Sequence, residues 1–445
     1  MKKDLTQGNI TKNILLFAGP MILGNLLQQL YNIADSLIVG RFLGPDALAA
    51  VGSAYTLMTF LTSVLIGMCM GSGALFSYYF GKKEEERMKH SMQLSFLLIG
   101  GAAILLNLLV ICFCSPILRL LQVPEELMDM MESYVRIIFL GLMFVFLYNY
   151  FAYLLRAVGN SVTPLYFLGT TAVLNVVLDI LFVVAFHWGI EGAAAATVIS
   201  QALSGMGLAA YTWLKEPKLR FDRKHFSPYP GETAQILRFS FSSSIQQSVM
   251  NFGILLIQGL VNSFGPEVMA AFAAAVKIDS FAYMPAQEFG NAFSLFISQN
   301  HGAGRNDRVQ RGMKSAARVS FCFCVLASIL VCLSSRYLMM LFISPEDVTI
   351  IDIGVRYLWI EGSFYCGIGV LFLLYGYFRG VNQPEMSLIL TIISLGTRVL
   401  LAYALSPIPA IGVAGIWSAI PIGWVLADSV GIFFLRKNTR KYKNI

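Results

Sequence analysis

Apolar stretches long enough to form membrane-crossing helices recur along almost the whole chain, separated by short polar connections. A helix needs about 20 predominantly apolar residues to cross the hydrocarbon core of a bilayer. Twelve segments meet that length: 14–39, 49–79, 91–115, 130–153, 163–186, 190–214, 234–262, 269–299, 312–335, 353–375, 386–406 and 411–435. Backbone groups inside hydrocarbon must be satisfied within their own segment, so each stretch predicts an α-helix. The segments at 49–79 and 269–299 are long enough to tilt or bend. The expected fold class is an all-α integral membrane protein with twelve transmembrane helices.

Polar residues interrupt this pattern at helical spacing. In the first span, Asn25, Gln28, Asn32 and Asp35 recur at intervals of three, four and three, which is one face of a helix. A polar stripe on a spanning helix faces water or protein rather than lipid. An ionisable group inside a bilayer costs roughly 2.5–3.5 kcal/mol on insertion scales, so Asp35 marks a candidate functional position. In span five, Asn175 and Asp179 stand four apart and share a face. Span seven carries a milder stripe, Ser244, Gln247 and Asn251, with no acid.

An internal repeat organises the chain. RAVGNSVTP, starting at Arg156, matches RGVNQP, starting at Arg379, and the same offset of 223 maps Gly189-Ile190-Glu191-Gly192 onto Gly412-Val413-Ala414-Gly415. GPDALAAV at 44–51 matches GPEVMAAF at 265–272. Each half then holds six spans. Six is even, so the two halves run parallel, as in transporters that work by rocking one half against the other around a central site. The predicted organisation is an N-terminal lobe at 1–213, a cytoplasmic linker at 214–233, and a C-terminal lobe with a basic tail at 234–445. The linker is basic and contains prolines, and a short interfacial helix is possible within it. Pro20, Pro285 and Pro421 fall inside spans one, eight and twelve, where a proline bends a helix. Each is a hinge or a static bend.

Composition sharpens the class. The 445 residues are 57% hydrophobic and 13% charged, where a soluble domain has about 25% charged residues. With the N-terminus in the cytoplasm, all but seven of the 32 Lys and Arg residues fall at the termini or in cytoplasmic loops. The exceptions are Arg41, Arg119, Arg136, Lys277, Arg336, Arg356 and Arg398. This positive-inside pattern places both termini in the cytoplasm of a multi-pass cell-membrane protein. The net charge of +7 is therefore topological and does not indicate a nucleic-acid partner. The first span is too long and polar for a cleaved signal, so no removal is expected. Seven cysteines, all in apolar spans and without a C-x-x-C pair, are expected to be packing residues.

The candidate chemistry follows from the intramembrane acids. With the topology above, Asp35 and Asp179 sit in the outward-facing half of the membrane. Two carboxylates at similar depth, with amide and hydroxyl oxygens beside them, suit Na⁺. Two nearby buried carboxylates do not both ionise readily, so the pair is also suited to H⁺. The second half is not chemically equivalent, because Asn175 maps onto Arg398 and Asp179 onto Ala402. It carries Lys277, Asp279, Glu288, Glu361 and Arg398 instead. Arg398 is expected in an interhelical ion pair; the alternative is a charged wall that selects substrate. Gln247, Asn251, Asp279, Glu288 and Arg398 are the candidate polar or substrate-path residues of this lobe. Phe, Tyr and Met residues could hold lipophilic cations by stacking and soft thioether packing. The four histidines form no H-E-x-x-H, and there is neither a G-x-S-x-G elbow nor a phosphate loop. An enzyme is not expected, and no cofactor is called for beyond a coupling ion.

FAGPMILGNLLQQLYNIADSLIVGRFLGPDALAAV, NVVLDILF with GIEGAAAAT, and MPAQEFGNAFSLFISQNHGAGRNDR together resemble the multidrug and toxic compound extrusion family, MATE, over nearly the full chain. The last segment is most similar to a branch from Gram-positive bacteria. The resemblance implies two pseudo-symmetric six-helix lobes around a V-shaped cavity, and efflux of drugs, often organic cations, against Na⁺ or H⁺ influx. It also implies a cation site at Asp35, Asn175 and Asp179, completed by Thr197, with Tyr134 nearby, and a bend of the first helix at Pro20. Some members place a Glu in helix seven and an Asp in helix ten. Here SSSIQQSVMN and FYCGIGVLFLLYG carry no carboxylate, which favours coupling in the first lobe. The expected function is a cation-coupled antiporter, working as a monomer in the bilayer on drug-like small molecules. The alternative is a flippase for a lipid-linked envelope precursor, disfavoured by the scarcity of cavity cations.

Overall fold

The computed structural model describes residues 4–120, 123–221 and 231–443, with side chains described only before Arg440 at the C-terminal end. These residues form helices and no strand. The first half comprises α1 (Ile10–Leu43), α2 (Pro45–Lys82), α3 (Glu85–Cys112), α4 (Cys114–Leu120), α5 (Glu125–Leu140), α6 (Leu142–Ala157), α7 (Val162–Asp179) and α8 (Gly189–Lys215). The second comprises α9 (Glu232–Asn262), α10 (Pro266–Gly302), α11 (Asn306–Met340), α12 (Val348–Gly362), α13 (Tyr365–Gly380), α14 (Pro384–Leu405) and α15 (Val413–Lys443). Every expected span has a helical counterpart. Among the described residues, eleven segments are long and apolar enough to cross a membrane singly, and α12 with α13 supplies a twelfth as a pair bent by 51°. The chain is a multi-pass membrane protein.

The two long spans are single helices, α2 and α10, of 38 and 37 residues. Span four carries a one-residue interruption at Gly141 within a single spanning segment, Glu125–Ala157, and span ten bends between Gly362 and Tyr365. The end of α7 widens into a π-helical stretch, Ile180–Ala185, directly after Asp179.

The repeat is visible in the backbone. α2 and α10 each start on a proline preceded by a left-handed glycine, Gly44 (φ 93°) and Gly265 (φ 96°). Gly159 (φ 86°) and its repeat partner Asn382 (φ 62°) both hold the left-handed conformation that ends a helix. The pairing explains the asparagine, the non-glycine residue that tolerates this region best.

Backbone proximity divides the chain into two units, Gly19–Ser244 with the first four residues, and Leu5–Ala18 with Ile245–Ile445. Compared with lobes at 1–213 and 234–445, two segments go to the other unit. The first turns of α9 join the first unit because α2 offers bare backbone to them. A Cβ on Gly67 would lie 2.5 Å from Ser244 Cα, and one on Gly71 would lie 2.6 Å from the Phe239 carbonyl carbon. The segment before α1 joins the second unit through buried Arg308. Its Nη1 donates to Gly8 O at 2.9 Å and its Nη2 to Leu5 O at 3.1 Å, while Asn300 Nδ2 also donates to Leu5 O at 3.2 Å. α1 thus changes unit at Ala18–Gly19, one residue before Pro20. Residues 222–230 of the expected linker lie outside the described residues. Beside them the chain forms only a short 3-10 turn, Pro217–Leu219.

In the first unit, α2 packs on α3, α5 and α6, while α8 packs on α5, α6 and α7. Its core is aromatic, with Phe96 5.2 Å from both Phe146 and Tyr150, ring to ring. In the second unit, α10 packs on α11, α12 and α13, and α15 packs on α13 and α14. Here Trp417 stacks on Phe272 at 5.3 Å and meets Tyr357 edge-on at 4.9 Å. Large apolar side chains such as Leu333, Leu341 and Leu400 stand exposed on the outside, as lipid-facing positions require.

Candidate functional site

The first unit brings together the residues expected of a cation site. Asp179 ends the α-helical part of α7 and is 0% exposed, and Asn175 lies one turn earlier and is also buried. α8 approaches α7 closely because its first turns are GAAAAT, with Ala193, Ala194 and Ala196 buried. This places Thr197 so that its Oγ1 accepts a hydrogen bond from Asn175 Nδ2 at 3.4 Å. Tyr134, on α5, is buried and lies within electrostatic reach of both Asp35 and Asp179. Asp35 arrives from α1 and is itself an electrostatic neighbour of Asp179.

Four oxygens of this group are buried and have no hydrogen-bond partner: Asp35 Oδ1, Asn175 Oδ1, Asp179 Oδ1 and Asp179 Oδ2. Buried polar atoms are normally satisfied, and a desolvated carboxylate without a partner is costly. Oxygens in this arrangement suit a hard monovalent cation or a proton. Among the described residues, no cluster of three or more His, Cys, Asp or Glu side chains could hold a metal ion by itself. The π-helical turn after Asp179 sets the direction of the chain leaving the site; such turns inside α-helices occur frequently at functional sites.

Along the α1 stripe Gln28 is exposed, while Asn25, Asn32 and Asp35 are half-buried. Tyr31, which lies outside the polar stripe of α1, interacts with Asp35 and Tyr134. It stands one helical turn before Asp35, which was the available signal.

The second-lobe candidates separate into two groups. Asp279 (α10) and Arg398 (α14) line one cavity with Glu361 (α12). Gln247 and Asn251 are half-buried on α9, outside that lining. Glu288 accepts a hydrogen bond from Asn291 Nδ2 at 3.3 Å. Asn291 Oδ1 in turn accepts from Arg379 Nη1 at 3.4 Å, and Arg379 Nη2 donates to Gln246 Oε1 at 3.2 Å. Arg379, read from the sequence as a loop cation, is therefore a buried helix-terminal residue that ties α10 to α9. The buried glutamine is Gln246 rather than Gln247. Arg398 does not make the expected ion pair. It influences both Asp279 and Glu361 electrostatically but forms no ion-pair contact with either, and its Nε has no partner. Asp428, outside the sequence-derived candidates, is buried on α15 with its Oδ1 unpartnered.

The MatE family model matches residues 20–181 and 242–404, covering both halves of the repeat. The chain belongs to the MatE family. A probable multidrug resistance protein, YpnP of Bacillus subtilis, is 32% identical over 391 residues, covering 88% of this chain and 87% of that protein. A second Bacillus subtilis relative, the probable multidrug resistance protein YoeA, is 28% identical over 94% of this chain and 92% of its own length. The outward-facing structure of a multidrug resistance MATE family transporter of the MOP superfamily superposes with a TM-score of 0.93. It covers 99% of this chain and 98% of its own, at 23% identity, and so shares the fold. The expected MATE-like architecture of two lobes holds. The MATE relatives are transporters.

Proposed function

We propose that this MATE protein is a cation-coupled antiporter of the cell membrane that exports drugs and other lipophilic, often cationic, small molecules. Na⁺ or H⁺ enters at Asp35 and Asp179, with Asn175 and Thr197 as neutral ligands and Tyr134 closing the side of the site. The observation that carries this reading is the set of four buried, unpartnered oxygens shared among Asp35, Asn175 and Asp179. The names of YpnP and YoeA, both probable multidrug resistance proteins, support drug export as the process.

Coupling requires that ion and drug favour different conformations, since a ligand shifts an equilibrium only by its differential affinity for the two states. α1 is suited to report ion occupancy. It carries Asp35, contains Pro20, and passes from one unit to the other beside that proline. In this reading Pro20 is the hinge, both termini are cytoplasmic, and the monomer is the working unit.

The test is growth of a drug-sensitive bacterial host that expresses the wild-type chain or Asp35→Asn, with membrane levels matched. Resistance conferred by the wild type and lost in the variant is the expected result. Full resistance from Asp35→Asn would remove the assigned site.

A further inference from the structure

The second unit contains a cavity that the first-unit cation site does not use. It holds about 80 Å³ of free space, enough for the charged head group of a ligand but not for a drug-sized body. Its walls are aromatic, with Phe272, Tyr283, Phe372 and Trp424 among the lining residues. Three charged side chains also face it: Asp279, Glu361 and Arg398. Asp279 is 3% exposed and Glu361 is 2% exposed. Asp279 and Glu361 lie against each other and against Tyr365 and Tyr357, yet Asp279 Oδ1, Glu361 Oε2 and Arg398 Nε are buried without a hydrogen-bond partner.

The arrangement is unusual in one respect. Opposite charges that share a desolvated cavity normally close into an ion pair, because the pair recovers part of the desolvation cost. Here the acids and the guanidinium influence each other electrostatically and yet form no ion-pair contact. α10 and α12 present an acidic pole, and α14 presents a basic one. A plain organic cation would satisfy the acids and be repelled by Arg398. A plain anion would meet the reverse. A molecule that carries an ammonium and an anionic group within a few bonds of each other satisfies both poles, while its apolar remainder lies along the aromatic wall.

We propose that this cavity binds the head group of a zwitterionic ligand, with its ammonium against Asp279 and Glu361 and its carboxylate or other anionic group against Arg398. The proposal goes beyond the exporter reading, because it concerns a different unit, different residues and a ligand class other than simple cations. Arg398 sets the specificity. The repeat makes its origin legible: Arg398 occupies the position of Asn175 in the first unit, so one structural position serves a cation-binding amide in one half and an anion-binding guanidinium in the other.

The probes are Nε-dansyl-lysine, which is zwitterionic at its α-carbon, its methyl ester, which is a cation, and its Nα-acetyl derivative, which is an anion. Binding to the purified full-length protein in detergent is followed by dansyl emission and by energy transfer from tryptophan, with no ion gradient present. Loss of transport therefore leaves the measurement intact. A charge-assisted hydrogen bond contributes about tenfold or more in affinity. The zwitterion is accordingly expected to bind at least about tenfold more tightly than the ester or the acetyl derivative. Arg398→Gln should abolish the preference over the ester, Arg398→Lys should retain part of it, and Asp279→Asn should weaken both zwitterion and ester. Trp424→Phe should reduce the energy transfer. If the wild-type protein binds the ester as tightly as the zwitterion, Arg398 is a structural cation and the proposal fails. It fails equally if Arg398→Gln and Asp279→Asn both leave zwitterion binding unchanged, because the probe then binds elsewhere. The wild-type series decides the question even if a variant does not fold.

Discussion

Gly67→Ala and Gly52→Ala place the same extra methyl on the same helix, α2, and should change stability in opposite directions. On Gly67 the new Cβ would lie 2.5 Å from Ser244 Cα, 2.7 Å from Ser243 O and 2.9 Å from Ser244 N, where ordinary contact begins at 3.4 Å. All three neighbours are backbone, so no side chain can rotate away and the first turns of α9 must move. Overpacking of this kind costs typically 1–3 kcal/mol, and a backbone obstacle puts the cost at about 2 kcal/mol or above. For a cooperative unit of roughly 150–250 residues, about 2 kcal/mol lowers the unfolding temperature by roughly 4–8 °C. On Gly52 the Cβ meets nothing within 4 Å, and helical glycine is replaced without strain. There alanine should stabilise by about 0.5–1 kcal/mol, through the chain entropy that glycine would otherwise lose. Thermal unfolding of the purified protein in detergent, followed by the loss of the monodisperse peak, measures both variants. If Gly67→Ala unfolds within 1 °C of the wild type, α9 does not begin as a member of the first unit, and the reasoning from bare backbone is wrong.

Other outcomes follow from named contacts. If the coupling ion is Na⁺, a concentration near 100 times its Kd should stabilise the wild type by about 2.7 kcal/mol over choline, and Asp179→Asn should abolish the effect; equal shifts in both proteins would place the ion elsewhere. Arg308→Lys should accelerate amide exchange in residues 5–9 by about tenfold, because an ammonium cannot span the Leu5, Gln7 and Gly8 carbonyls that the guanidinium reaches. Unchanged exchange would show that the clamp contributes little. In the turn between α2 and α3, Lys82 at 2.8 Å and Arg87 at 3.2 Å hold the Glu84 carboxyl below its ordinary range, with the Lys82 hydrogen bond the largest cause. A carboxyl lowered on folding contributes stability above its unfolded value and loses it as pH falls through the lowered one. Protection of this turn should therefore decline on acidification in the wild type and stay flat in Glu84→Gln, as read by hydrogen exchange across that pH range.

The spans were legible because membrane crossing imposes a length and an apolar composition that few other constraints share. The repeat was equally legible, down to the left-handed pair Gly159 and Asn382, because a short motif at a fixed offset survives when the surrounding sequence has diverged. Breaks were not. Nothing in the apolar pattern distinguishes Gly141, where span four interrupts, from glycines such as Gly52 that a continuous helix absorbs. The unit boundary was also hidden. It depends on which helix finds bare backbone at Gly67 and Gly71, and on which carbonyls Arg308 reaches, and both are tertiary facts. The residues of the proposed first-unit site stand out through the spacing of Asn175 and Asp179 and through the cost of Asp35 in an apolar helix. Tyr31 and Tyr357 escaped, although each stands one turn before an intramembrane acid, Asp35 and Glu361, and interacts with it. Arg379 was misplaced because a basic residue beside a loop signal reads as solvated, whereas here it is held by Gln246 and Asn291.

The central claim is that Asp35 and Asp179 couple an ion gradient to export. Its most direct test is flux of a fluorescent organic cation through the purified protein in liposomes, with a Na⁺ gradient and a pH gradient imposed separately. The account predicts transport driven by one of the two gradients in the wild type and none in Asp35→Asn at equal incorporation. Absence of flux under both gradients from folded wild-type protein, or undiminished flux from Asp35→Asn, would contradict it.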